Sequence, residues 1–268
     1  MVDVIIGSGL VPAVPQWLLG VAMTVVLVAA IVRGFAGFGF SAITLAGLTA
    51  FVSPARVVPA IFALEVLSSI GLLLQVRRDV DPHWLRWLVA GNALAIPAGV
   101  AALAWLPERP LRLGVALLLL AATLLLRTGR AWLLPSTPPA QFATGIASGL
   151  ANGLAAIGGL VIALLLGTAT LPPARWRATM IALFLFTDLY ALAWAALYAL
   201  AGAAPQSILD AGTIGWVLCM APPMLLGITI GRRAFDRVSP AQFQRWVLNL
   251  LVVVCCLSVA VTLRSTAT

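Results

Sequence analysis

Residues 33–41 read RGFAGFGFS, and residues 152–159 read NGLAAIGG. These two glycine-containing stretches interrupt long apolar runs, which extend over 16–52 and 141–169. Clusters of glycine favour turns over continuous helix, because glycine adopts backbone conformations that other residues avoid. Each run therefore predicts a broken helix, and the pair of breaks is the most informative feature of the chain.

A shift of 119 positions places the first break on the second. With this shift Gly34 falls on Gly153, and the PAR motif at 54–56 falls on the PAR motif at 173–175. Farther along the chain the offset becomes 133, so the loops differ in length. One offset that holds across a break and into the next helix predicts two structural repeats.

The composition places the chain in a lipid bilayer. Of the 268 residues, 62% are hydrophobic and 9% are charged, and the mean hydropathy is +1.10. Soluble globular proteins carry about 25% charged residues, so this chain has too little polar material for a surface in water. A helix needs about 20 apolar residues to span a bilayer. We predict an all-α polytopic membrane protein with six full crossings, at 55–75, 84–105, 110–127, 174–200, 209–230 and 244–263.

The placement of arginine predicts the orientation of the repeats. The chain has 16 basic residues, all of them arginine, and a net charge of +8. Short cytoplasmic loops collect arginine, and the best arrangement puts eleven arginines inside, four outside and Arg33 in the membrane. Corresponding loops then lie on opposite sides, so the repeats are predicted to be inverted, with both termini outside. The predicted units are a first transmembrane repeat at 1–130, a linker at 131–140 and a second repeat at 141–268.

In this topology each broken stretch enters and leaves the membrane on one side, as a re-entrant hairpin. A helix over 141–151 reaches only about 16 Å, which is roughly half of the 30 Å hydrocarbon core. The first broken stretch is longer and could hold a full helix before its break. The residues leave open whether that stretch is re-entrant or a pair of helices.

Two broken helices that meet near the membrane midplane would form a binding site for a small anion. Irregular backbone at membrane depth is tolerated where it is buried in protein or lines a cavity with water. Helices that begin near Phe40 and Gly159 would direct free N–H groups and positive dipole ends at one place. Tight helix packing is the alternative explanation for the glycines. The candidate substrate-binding residues at the breaks are Arg33, Gly34, Gly37, Gly39, Ser41, Asn152, Gly153, Gly158 and Gly159.

Arg33 is aligned with Asn152, so both repeats carry a polar donor just before the break. An arginine in the membrane suits a sulfonate, sulfate or carboxylate, because its guanidinium forms forked hydrogen bonds to such groups. If the first hairpin is shallow, Arg33 is instead a flanking charge at the membrane surface.

Two acids, Glu65 and Asp188, lie well inside predicted crossings. Carboxyl groups are costly in a membrane interior and are typical of proton pathways, so we predict that these two couple transport to protons. An ion pair or a hydrogen bond between helices is the alternative, and Ser or Thr commonly bonds back to its own helix. The polar residues near these acids, Ser68, Ser69 and Thr187, complete the candidate substrate path.

Other functional classes find little support in the residues. His83 is the only histidine, and the three cysteines at 219, 255 and 256 lie in apolar runs, so no zinc motif or disulfide framework is present. The arginines are spread between apolar runs and form no single patch for nucleic acid. We predict no enzyme activity, no cofactor and no metal. The oligomeric state cannot be predicted, because lipid-facing and partner-facing apolar surfaces look alike.

These motifs resemble those of the sulfite exporter (TauE/SafE) family of bacterial membrane permeases. The resemblance spans nearly the whole chain, although Phe40 and Ser41 stand where the family tends to have glycine. The counterparts of the family motifs are GFGFS at 37–41, AIGGL at 156–160, SPARVVPA at 53–60, PPARWRAT at 172–179 and RRDVDPHW at 77–84.

The resemblance implies export or uptake of sulfite, thiosulfate or organosulfonates across the cell inner membrane. Together with the residues, it favours a proton-coupled permease that works by alternating access around a midplane site. In that hypothesis Arg33 and the hairpin amides bind the anion, and Glu65 or Asp188 carries a proton. The expected partners are a small sulfur-containing anion, protons and membrane lipid. A passive anion channel and a non-transporting membrane sensor or partner protein stay open.

Overall fold

The structure is a computed structural model, and it describes residues 14–49, 51–127, 137–166, 171–202, 209, 211–235 and 240–267. Within these ranges the chain forms ten α-helices and a short 3-10 turn, with no strand. The predicted all-α class is therefore confirmed. Residues 131–136 of the predicted linker lie outside the described ranges, and the domain boundaries stay a prediction.

The first half of the chain contains five helices, of which the second is short. Prolines stand at several helix starts, where their missing N–H costs nothing and their fixed φ suits a helix. Asp81 caps the fourth helix, because its side chain accepts the N–H groups of His83 and Trp84, each at 3.0 Å. The helices are α1 (Gln16–Ala36), α2 (Phe40–Leu48), α3 (Pro54–Val76), α4 (Pro82–Trp105) and α5 (Glu108–Arg127).

The second half repeats this order of long and short helices. Its second helix is again nine residues long, like α2. The five helices are α6 (Pro138–Ala155), α7 (Gly158–Leu166), α8 (Pro173–Leu200), α9 (Ala211–Phe235) and α10 (Pro240–Ala267).

Six helices of the described residues are long and apolar enough to cross a membrane. Five of them, α3, α4, α5, α8 and α9, correspond to predicted crossings. The sixth is α1, the first arm of the first broken stretch. The predicted crossing at 244–263 lies within α10, whose described apolar part is Trp246–Leu257.

The first broken stretch is a helical hairpin. Gly37, the residue after the end of α1, has φ +80°, and Gly39 has φ +93°, so the chain reverses through the left-handed region that glycine tolerates. A Cβ built on Gly39 would lie 3.3 Å from a methyl group of Val32, and one on Gly47 would lie 2.7 Å from a methyl group of Val25. α2 therefore runs back along α1. The first arm is long enough to cross a membrane, whereas the second arm, at nine residues, is not. Entry and exit of this hairpin on one side of the membrane stay a prediction.

The second broken stretch ends its first arm in the same conformation. Ala156 has φ +57° and is the one non-glycine residue with positive φ in the described ranges. The shift of 119 positions makes it the counterpart of Gly37. The hydroxyl of Ser148 donates to the carbonyl oxygen of Gly158 at 3.2 Å, so α7 begins beside the last turns of α6.

The helix contacts repeat between the two halves. α4 packs along α6, and the equivalent pair, α9 and α1, packs in the same way. The contact between α4 and α8 is matched by a contact between α9 and α3, and α3 packs against its own counterpart α8. Each of these contacts between the halves thus has an equivalent in which the two halves are interchanged, which is consistent with the predicted inverted repeats.

Candidate anion site

Arg33 lies near the end of α1 and is completely buried. Its Nε donates to the Ser68 hydroxyl at 2.8 Å, and its Nη2 donates to the Ser69 hydroxyl at 2.6 Å. Its Nη1 forms an ion pair with Glu65. A planar guanidinium directs N–H groups from three separate nitrogens at partners in one plane, whereas an ammonium offers its donors from a single nitrogen. The structure therefore brings four predicted residues together, and the burial of Arg33 does not fit a flanking surface charge.

The carboxylate of Glu65 lies at the N-terminus of α2. Ser41, the second residue of that helix, forms hydrogen bonds to this carboxylate through its backbone N–H and its side chain. A helix N-terminus attracts anions, because its first N–H groups lack partners and its dipole is positive there. The sequence predicts a substrate anion at this helix end. In the structure the carboxylate of the chain itself occupies that position.

The second repeat forms an equivalent cluster around Asn152. The Nδ2 of Asn152 donates to Asp188 Oδ1 at 2.9 Å, and its Oδ1 accepts the N–H of Gly158 at 3.3 Å. The shift of 119 positions converts the pair of Arg33 and Ser69 into the pair of Asn152 and Asp188. The hydrogen bond from Arg33 to Ser69 in the first repeat therefore has a counterpart, from Asn152 to Asp188, at the equivalent positions of the second repeat.

Asp188 keeps one oxygen without a partner. Its Oδ2 is buried and has no hydrogen-bond partner among the described residues, whereas its Oδ1 is bonded to Asn152. A carboxyl group with such an oxygen can take up a proton without losing an existing hydrogen bond. The neighbouring Thr187 bonds back to the carbonyl oxygen of Phe184 on its own helix, at 3.4 Å.

Phe184 joins the two clusters. The guanidinium carbon of Arg33 lies 5.5 Å from its ring centroid, a distance at which a cation is attracted to an aromatic face. On the other side, a Cβ built on Gly159 would lie 2.6 Å from the ring. Sequence reasoning missed Phe184 as a site residue, because phenylalanine in a membrane helix is typical of lipid contact. The available signal was its register, since it occupies the position of Glu65 in the other repeat.

Two of the predicted glycines contact neighbouring helices instead. A Cβ built on Gly34 would lie 2.5 Å from the carbonyl oxygen of Ile228 in α9. One built on Gly153 would lie 2.6 Å from the carbonyl oxygen of Ile96 in α4. The alternative explanation, close helix packing, accounts for both of these glycines. The other four stand at the hairpin breaks, where a Cβ would meet Arg177 at Gly37, Val32 at Gly39, Ser148 and Asn152 at Gly158, and the Phe184 ring at Gly159.

The groups gathered here suit an oxyanion and a proton. Across the described ranges, no three His, Cys, Asp or Glu side chains are grouped as metal ligands. The polar groups present are a guanidinium, two carboxyls, an amide, several hydroxyls and the N-termini of two short helices. Guanidinium and helix N-termini bind oxyanions, and buried carboxyls exchange protons.

The family of the chain follows from comparison with known proteins. No curated protein and no solved structure matches the chain. The family model described as "Sulfite exporter TauE/SafE" matches residues 4–258. This match covers nearly the whole chain and agrees with a multi-pass membrane protein that has several long apolar helices. The chain therefore belongs to the sulfite exporter TauE/SafE family of membrane transport proteins.

Proposed function

We propose that the protein is a secondary transporter that moves sulfite, thiosulfate or organosulfonate anions across the cell inner membrane together with protons. The anion would bind at Arg33, and alternating access would occur around this site. The observation that best supports the proposal is the position of the Glu65 carboxylate, which is bound to Arg33 and to the N-terminus of α2. These two groups are the ones that an oxyanion would use.

In this mechanism a substrate anion and ionised Glu65 compete for the same donors. Two negative charges side by side in a buried site repel strongly, so a bound anion favours the neutral form of Glu65. A proton on Glu65 releases the Nη1 of Arg33 and the N–H of Ser41 for the anion. Anion and proton therefore bind together and cross the membrane in the same direction.

Asp188 would act as a second proton carrier, next to the site where the anion and Glu65 compete. Its hydrogen-bond partner is the neutral amide of Asn152, so Asp188 does not compete with the anion for a cation. Its unpartnered Oδ2 offers a position for a proton. We assign the coupling to Glu65 and a place on the proton path to Asp188.

Anion uptake into proteoliposomes tests this proposal. Thiosulfate, sulfite and a panel of organosulfonates are supplied with and without an inward proton gradient. The gradient should stimulate wild-type uptake, and Glu65→Gln should lose this stimulation because a neutral amide cannot exchange a proton. The control is Glu108→Gln, since Glu108 is an exposed acid that pairs with Arg112 at 2.7 Å. Gradient-stimulated uptake by Glu65→Gln, or its loss in the control, would contradict the mechanism.

The same experiment separates the other two functions. A channel would give flux that does not saturate with anion concentration and does not respond to the gradient. A sensor or partner protein would give no flux of any anion in the panel. Saturable flux that follows the proton gradient would count against both.

A further inference from the structure

A basic pocket opens where the C-terminal end of α3, the first turns of α8 and the C-terminal end of α9 meet. Its volume is about 460 Å³. None of its lining residues is acidic, as far as the described residues show. The pocket is lined by Leu72, Gln75, Val76, Arg177, Thr229, Arg232 and Arg233.

Three guanidinium groups share this pocket. Arg232 and Arg233 are exposed, and Arg177 is half-buried. In the part of the chain that the structure describes, neither Arg232 nor Arg233 forms an ion pair with a carboxylate. Cations held close together repel one another, and an anion with two charges relieves this repulsion better than an anion with one. The pocket therefore has the charge and the forked donors that suit a small doubly charged oxyanion.

Arg177 connects this pocket with the anion site. Its Nη2 donates to the carbonyl oxygen of Gly34 at 2.6 Å. Its side chain also packs on the tip of the first hairpin, because a Cβ built on Gly37 would lie 2.8 Å from Arg177 Cγ. Gly34 directly follows Arg33 in the chain. An anion bound to Arg177 would thus contact the residue that holds the hairpin tip in place, next to the buried site.

We propose that this pocket binds a small doubly charged oxyanion of sulfur or phosphorus, and that it is the loading site from which the anion reaches Arg33. The role in loading rests on the proposed transport function, whereas binding by the pocket does not. A phospholipid headgroup offers the same oxyanion chemistry. Its phosphodiester carries a single negative charge, so three arginines favour the soluble dianion.

Equilibrium binding of radiolabelled thiosulfate tests the pocket directly. The full chain is purified in nanodiscs of phosphatidylcholine, which has no net charge. Wild-type protein should bind at two sites, and the double variant Arg232→Gln, Arg233→Gln should lose one site or bind it at least tenfold more weakly. The control Arg56→Gln changes an exposed arginine at the other end of α3 and should bind like the wild type. Unchanged binding by the double variant would overturn the proposal.

A variant of the buried site separates the two binding events. Arg33→Gln removes the guanidinium of the inner site and should leave one binding site, which should disappear when the two pocket substitutions are added. Because Arg232 and Arg233 are exposed, their substitution does not disturb the core. The double variant in the wild-type background therefore remains informative even if Arg33→Gln does not fold.

A binding measurement with an anionic lipid distinguishes a soluble dianion from a phospholipid headgroup as the ligand of the pocket. The binding measurement is repeated with phosphatidylglycerol added to the nanodiscs, and sulfate, hydrogen phosphate and chloride are used as competitors. Displacement by sulfate and hydrogen phosphate, with little effect of chloride or of phosphatidylglycerol, supports a site for a soluble dianion. Displacement by phosphatidylglycerol that the double variant abolishes would identify a lipid site and overturn the proposal.

Transport kinetics then test the loading role. For anion supplied from the pocket side, the double variant should raise KM with kcat unchanged. If the pocket loses its anion but both KM and kcat stay at the wild-type values, the loading role is wrong. If no variant and no wild-type protein transports any anion while the pocket still binds thiosulfate, the proposed transport function fails and the binding site stands.

Discussion

At the residue scale, the two halves of the site carry different charges at equivalent positions. Arg33 corresponds to Asn152, and Ser69 corresponds to Asp188, so the charged group is on the hairpin in one repeat and on the crossing helix in the other. Glu65 adds a second acid. With both acids ionised the site has a net negative charge, which repels an anion. Protons taken up by the site remove this barrier, which supports proton-coupled anion binding.

The first prediction concerns Arg33→Lys, which keeps the charge but replaces three donor nitrogens with one. A single ammonium group cannot reach Ser68, Ser69 and Glu65 in the directions that the guanidinium serves. We expect the affinity of the buried site for thiosulfate to fall at least tenfold, or about 1.4 kcal/mol. We expect the free energy of unfolding to fall by about 1 to 3 kcal/mol, because buried hydroxyls lose their partner. Equilibrium binding and thermal unfolding in detergent measure these effects.

The control for this change is Arg112→Lys. Arg112 bonds the exposed Glu108 at 2.7 Å, and exposed pairs of this kind contribute about 0 to 1 kcal/mol. Arg112→Lys should leave both thiosulfate binding and the free energy of unfolding close to the wild-type values. If the buried site of Arg33→Lys binds thiosulfate as tightly as that of the wild type, the assignment of Arg33 to the anion site is wrong.

At the scale of elements, glycine allows α4 and α6 to pack with their backbones in contact. A Cβ built on any of five glycines would lie less than 3 Å from the backbone of the other helix. Helices in lipid gain nothing from the hydrophobic effect between them, so close packing of small residues stabilises their contact. This contact holds the second hairpin against a helix of the first repeat. The glycines are Gly91, Gly99, Gly145, Gly149 and Gly153.

The second prediction is that Gly91→Ala destabilises this helix pair. The added Cβ would lie 2.3 Å from the carbonyl oxygen of Phe142, so the helices must separate. Overpacking of this kind costs about 1 to 3 kcal/mol, and thermal unfolding should show a lower midpoint. The matched control is Gly114→Ala in α5, where a Cβ meets no atom within 4 Å. Equal unfolding midpoints for Gly91→Ala and the control would show that this contact does not limit stability.

At the scale of the whole molecule, each hairpin is held by a helix of the other half. α1 packs on α9, and α6 packs on α4, so neither repeat is complete without the other. Movement of one repeat against the other would change the surroundings of both hairpins together. This arrangement fits the proposed alternating access around a site that both hairpins share.

The third prediction concerns orientation. Arginine-rich helix ends should face the cytoplasm, so the end of α3 at Arg78 should lie inside and its start at Arg56 outside. Arg56→Cys and Arg78→Cys are made separately in a background without the three native cysteines. An impermeant maleimide added to intact spheroplasts should label the first variant, and label the second only after permeabilisation. The reverse pattern would invert the predicted topology.

The sequence by itself determined the helical class, the two breaks and the family, and it predicted the repeat. The first two follow from local composition, because lipid forces each apolar run of sufficient length into a helix and glycine interrupts it. The repeat appears as a constant offset, which needs no knowledge of contacts. The polar residues that the structure brings together, Arg33, Glu65, Ser68 and Ser69, were also singled out, since polar groups are rare in apolar runs and therefore conspicuous.

Only the tertiary structure decided which of these groups meet. The ion pair of Arg33 with Glu65, and the place of that carboxylate at the start of α2, depend on how deeply the first hairpin enters and how its helices are rotated. Apolar faces look alike in sequence whether they meet lipid or protein, so these angles cannot be predicted from the pattern. For the same reason the sequence could not separate the packing glycine Gly34 from the glycines at the hairpin tip, or place Phe184 between the two clusters.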